Sequence, residues 1–129
     1  MKKILTLCML FVLTNACQKE DACKKNEGIN GKWIWVESVG GIGGWTLTPE
    51  SEKHTKHLEI DDFTFKAYQN DSLVFESAYD LEIRPDTFFE TDRYIKFELG
   101  GERAIKITSS ELELYELCAD CFFYKYKRE

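Results

Sequence analysis

Gly31-Lys32-Trp33-Ile34-Trp35-Val36-Glu37-Ser38-Val39 is the first β-like run of the chain. Trp33 and Trp35 alternate with Ile34 and Val36, so both faces of the run carry apolar groups. A strand of that kind is covered on both sides, or lies at the seam where a sheet closes on itself. Gly40-Gly41-Ile42-Gly43-Gly44-Trp45 follows, a loop with four glycines. Nucleotide binding does not fit it: no helical pattern follows, and no lysine stands where a P-loop needs one. Thr48-Pro49-Glu50 fits a single helical turn, with Thr48 as N-cap and Pro49 at the first position.

Beyond that turn the apolar period is two, the period of a strand. Leu58 and Ile60 alternate with His57 and Glu59, and Phe63, Phe65 and Ala67 alternate with Thr64, Lys66 and Tyr68. After the Asn70-Asp71 turn signal comes the longest alternation, Leu73, Phe75, Ser77, Tyr79, Leu81 and Ile83 on one face. It reads as one long bent strand or as two joined at Ser77-Ala78. Pro85 ends it, since proline cannot donate to a ladder. Phe88-Phe89 suggests a short strand, and Ile95, Phe97 and Leu99 lead into the hairpin signal Gly100-Gly101. Ile105 and Ile107, then Leu112 and Leu114, then Phe122, Tyr124 and Tyr126 complete the pattern.

The expected fold is all-β, an antiparallel up-and-down meander of about eight strands, because connections this short pair sequential neighbours. Closure into a barrel removes the exposed edges; an open sandwich is the alternative. The expected inward face runs from Trp33 through Phe63, Phe65, Leu73 and Phe75 to Leu112, Leu114 and Tyr124.

Upstream, Met1-Lys2-Lys3, an apolar run over residues 4–13 and Thr14-Asn15-Ala16 precede Cys17. That order is a secretory signal peptide over residues 1–16, and its apolar run is too short to span a bilayer. The leader resembles a bacterial lipoprotein signal. Leu13 lies four residues before the cysteine, where a lipobox usually has leucine three before it. The resemblance implies that Cys17 is lipidated, carrying diacylglycerol and palmitate, and that the membrane is reached through this anchor. Gln18-Lys19-Glu20-Asp21 resembles the surface-export signal of Bacteroidetes lipoproteins, which implies outer-membrane attachment with cell-surface exposure as an open option. Residues 17–30 are thus expected to be the lipidated cysteine and a polar tether, and residues 31–129 the folded domain.

The net charge is -6 over 129 residues, and it becomes -8 once Lys2 and Lys3 leave with the leader. A surface that acidic repels phosphate backbones, so no nucleic acid partner is expected.

Five cysteines are present, and Cys8 and Cys17 belong to the leader and its cleavage point. Among the rest, Cys118 and Cys121 suit a tight disulfide, while pairing of Cys23 with one of them is the alternative. A zinc site from His54, His57, Cys118 and Cys121 has the right cysteine spacing. Histidines three apart on a strand point to opposite faces, however, so neither a metal nor any cofactor is expected. No nucleophile elbow, zinc-protease motif or calcium loop occurs, so no catalytic residue is assigned and no enzyme is expected.

Gly31-Lys32-Trp33 at the start of such a meander resembles the Gly-x-Trp signature of lipocalins. In that family the tryptophan plugs the closed end of the barrel and an arginine near the C-terminus packs across it; Arg128 is the matching residue. Together with Val36-Glu37, Gly43-Gly44-Trp45 and the segment from Cys118 to Arg128, the domain is similar to small lipocalin-like lipoproteins of Bacteroidetes. The resemblance implies a lipocalin-like barrel with a cup for a small apolar or amphipathic ligand. The mouth is expected near Gly43, Gly44 and Trp45, with Trp45 as lid. The second expectation is an interaction module with a filled barrel, binding an envelope protein instead of a ligand.

Overall fold

The computed structural model describes residues 28–85 and 88–129. The expected leader, Cys17 and Cys23 lie outside these residues. Among the described residues, nine strands and one helical turn follow in order: β1 (Gly31–Gly40), β2 (Trp45–Leu47), α1 (Pro49–Glu52), β3 (Lys56–Ile60), β4 (Thr64–Gln69), β5 (Ser72–Ile83), β6 (Arg93–Phe97), β7 (Glu102–Ile107), β8 (Glu111–Glu116) and β9 (Phe122–Arg128). Every pairing is antiparallel, and β1 pairs with both β3 and β9, so eight strands close into a barrel. The ninth, β2, lies outside the ring against the last three residues of β1. The up-and-down barrel expected from the alternation is therefore present, and the sandwich alternative is not. Thr48 caps α1 as expected, accepting from the Ser51 amide.

The long alternation forms one strand. Its first part pairs with β4 and its second part, from Tyr79, with β6. Between Asn70 and Asp71 the chain makes the tight turn its residues favour, both with positive φ (48° and 63°).

Two bulges re-aim side chains. In the β1–β9 ladder the register shifts between Trp35 and Glu37. One extra residue reverses the alternation, so Ser38 points inward at 1% exposure and accepts the Trp35 indole N–H, while Glu37 ion-pairs with Lys125. In the β4–β5 ladder Val74 is the extra residue. Leu73, expected inside, is thereby turned out beside Tyr68 and is exposed.

Other expectations also change. Phe63 is exposed, because the Asp61 carboxylate accepts from the Phe63 and Thr64 amides and makes a turn there, so the ladder begins only at Thr64. Those two hydrogen bonds hold the Asp61 carboxyl below its usual range. Phe88 and Phe89 form no strand. Arg84 and Phe89 instead pack on the outside of β6 to β8. The Arg84 guanidinium lies 3.9 Å from the Tyr94 ring, and Phe89 lies 5.7 Å from Tyr115. Tyr94 and Ala104, both on the outer face, are consequently buried. The tether ends sooner than Asn30, since Ile29 is a core residue with no exposure at all.

Candidate functional site

The two ends of the barrel are built differently. At one end β1 begins, β9 finishes and Trp33 is fully buried between them. Its indole N–H donates to the Ile29 carbonyl (2.8 Å), and the Arg128 guanidinium lies 4.1 Å from its ring. Arg128 also donates to the carbonyls of Gly28 (2.6 Å), Asn30 (2.7 Å) and Ser109 (3.0 Å). Gly31 explains itself here: its φ is 135°, and a Cβ would come 2.8 Å from the Arg128 guanidinium. Trp33 and Arg128 thus meet as the sequence implied, and this end is sealed.

At the other end lie the 41–44 loop and the β4–β5, β6–β7 and β8–β9 hairpins. Here the interior opens into a cavity of about 270 Å³. Its floor is aromatic: Phe65, Phe75 and Phe97 pack edge to face, with centroids 5.0 to 6.1 Å apart. That geometry suits their ring quadrupoles and leaves an apolar surface. Broader grooves exist on the outer surface, one of about 590 Å³ beside Glu90, Asp92 and Lys106 and one of about 310 Å³ lined by Phe88, Phe89, Tyr115, Phe122 and Phe123.

The cavity rim is charged. Arg103 and Glu116 are cross-strand partners that share the inward face with Ile105 and Leu114. Their closest atoms are 3.8 Å apart, an ion contact longer than a hydrogen bond. Glu116 is held by neutral donors instead: the Tyr124 hydroxyl (3.2 Å) and the Phe122 amide (3.3 Å). Burial, and then the Glu116 carboxylate, push the Tyr124 phenol above its ordinary value, so it remains a donor. Arg103 itself donates to the carbonyl of its neighbour Glu102 (2.8 Å). On the far side of Tyr124, the Lys56 ammonium lies 5.9 Å from that ring and 4.6 Å from Trp35.

The residues singled out as the mouth lie at this end but not on the cavity lining. Gly44 donates back to the Gly41 carbonyl, and this tight turn folds β2 along the outer edge of β1. Trp45 is consequently 66% exposed, and neither it nor Gly43 nor Gly44 lines the cavity. The lid role expected for Trp45 is replaced by the rim of Arg103, Glu116 and Tyr124. Those residues carried a usable signal: Arg103 shares parity with Ile105 and Ile107, and Glu116 with Leu112 and Leu114.

Cys118 and Cys121 are bridged at the tip of the β8–β9 hairpin, with Cα atoms 5.3 Å apart, so Cys23 pairs with neither. The hairpin passes directly over Gly40, where a Cβ would come 2.3 Å from the Cys121 carbonyl oxygen. The histidines diverge: His54 stacks on buried Trp35, and His57 stacks on Tyr68 across the outer face. Among the described residues, no group of three or more His, Cys, Asp and Glu side chains converges on a metal position.

No family model matches this chain, and neither a curated protein nor a solved structure matches it.

Proposed function

We propose that this protein is a lipid-anchored, lipocalin-like component of the cell envelope that binds a small amphipathic molecule in the open end of its barrel. The observation that carries the binding reading is the cavity of about 270 Å³ with an aromatic floor and a charged rim. Ligand sites are concave and mostly apolar, with a few polar groups that fix orientation. The cavity lies just below their usual volume, so the ligand is small. The envelope address rests on the residues around Cys17 and on the Gly-x-Trp resemblance. Native mass spectrometry of protein purified gently from a periplasmic expression tests the binding reading: a retained small-molecule mass supports it. A bare protein mass, together with no change in intrinsic fluorescence across a panel of small amphiphiles, would sink it.

The alternative, an interaction module, is favoured by one observation. Ile42 (94% exposed), Leu99 (74%) and Trp45 (66%) are apolar side chains on loops or edges at the open end. Crosslinking in the native envelope that joins these loops to one protein partner, with the cavity empty, would favour it.

A further inference from the structure

We propose that the open end is a carboxylate site, in which the Arg103 guanidinium takes the head of a small monocarboxylate whose apolar body rests on Phe75 and Phe97. This rests on the binding reading above and names its ligand class.

Three features of the rim carry it. The first is the distribution of donors. A guanidinium has five N–H groups in a planar fork. Arg103 uses Nη1 on its neighbour's carbonyl, and its contact with Glu116 is too long for a hydrogen bond. Glu116 is meanwhile engaged by Tyr124 and Phe122. The acid of the rim is occupied by neutral donors, whereas the base has donors to spare. The second feature is charge: Arg103 lines the cavity with a single carboxylate, Glu116, beside it, although the whole protein is acidic. The third is position. Arg103 is two residues past the Gly100-Gly101 turn and lines the same cavity as Phe75 and Phe97, so a head on the fork points its body at the aromatic floor. A planar fork suits a carboxylate bidentately. At about 30 Å³ for each water-sized group, the cavity of about 270 Å³ accepts roughly nine heavy atoms. That size fits a medium-chain or aryl carboxylic acid and excludes a fully enclosed long acyl chain.

Octanoate and octan-1-ol are matched probes, alike in body and different in head. The experiment titrates each into the full chain, and into the same chain with Arg103→Gln or Glu116→Gln. Octanoate is expected to bind the parent chain, to weaken about tenfold or more in Arg103→Gln, and to tighten about threefold in Glu116→Gln, while octanol stays within about twofold throughout. Equal affinity for the two probes, both untouched by Arg103→Gln, overturns the carboxylate site and leaves the cavity as a binding site. Failure of both probes to bind overturns the carboxylate site and the binding reading together. Should Arg103→Gln fail to fold by circular dichroism, Glu116→Gln decides alone: weaker octanoate binding there overturns the proposal. Hexadecanoate binding far tighter than octanoate would overturn the size limit.

Discussion

Arg128 and Arg103 are both inward-turned arginines near strand ends, one at each end of the same barrel, and they are used in opposite ways. Arg128 donates to three backbone carbonyls and covers the face of Trp33. Arg103 donates to one adjacent carbonyl and otherwise makes a long contact with Glu116. The first ties the chain before β1 to the end of β9 and closes the barrel. The second leaves a charged fork at the edge of an apolar cavity. Fully engaged donors stabilise a fold, whereas unspent donors at a cavity rim are positioned for something that arrives from outside.

Breaking the sealed end should have the largest effect. Trp33→Ala removes a fully buried indole and should destabilise the protein by about 3–5 kcal/mol in urea unfolding. Arg128→Ala should follow at about 2–3 kcal/mol, since it orphans the carbonyls at Gly28 and Asn30 and uncovers the Trp33 ring. Arg128→Lys should recover less than half of that, because an ammonium cannot reproduce the fork; full recovery would reduce Arg128 to a point charge.

A smaller effect is expected at Tyr79, also on the sealed side, whose hydroxyl donates to the Asp61 carbonyl (2.5 Å). Tyr79→Phe should cost about 1 kcal/mol. Burial, with the nearby Asp62 and Asp61 carboxylates, pushes this phenol up to about 12 from an ordinary 10. Its contribution to stability is therefore complete below pH 10 and lost as pH rises through 12, a dependence that Tyr79→Phe should remove. Ultraviolet titration of tyrosinate absorbance in both proteins checks the assignment. Arg103→Ala should have the smallest effect, within about 0.5 kcal/mol of the parent in the same urea measurement. A loss as large as that of Arg128→Ala would erase the distinction between the two ends.

At the sealed end the lipocalin resemblance paired Trp33 with Arg128, and the two side chains are in contact. The open end lies where the glycine loop was expected, but Gly43, Gly44 and Trp45 do not line its cavity. Glycines and an exposed-looking tryptophan suggested a lid, yet the Gly41–Gly44 turn sends Trp45 along the outside of β1. Arg103 and Glu116 share parity with the inward aliphatic residues of their strands, a signal that went unused because both are charged. Phe63 and Leu73 were assigned inward by alternation alone. A turn held by Asp61 and a single extra residue at Val74 moved them out. Ile29 was read with the polar residues before it, yet its carbonyl accepts from Trp33 and its side chain joins the barrel core, a set assembled from many strands.

By itself, the sequence determined the strand class, the approximate strand number and the meander. Alternation, turn chemistry and short connections are local properties, written in residues close along the chain. Only the tertiary structure decided which side chains share the cavity, which residues the bulges turn outward and which outer residues Arg84 and Phe89 cover. Those depend on register and ring closure, where one inserted residue reverses a face and partners many positions apart must meet.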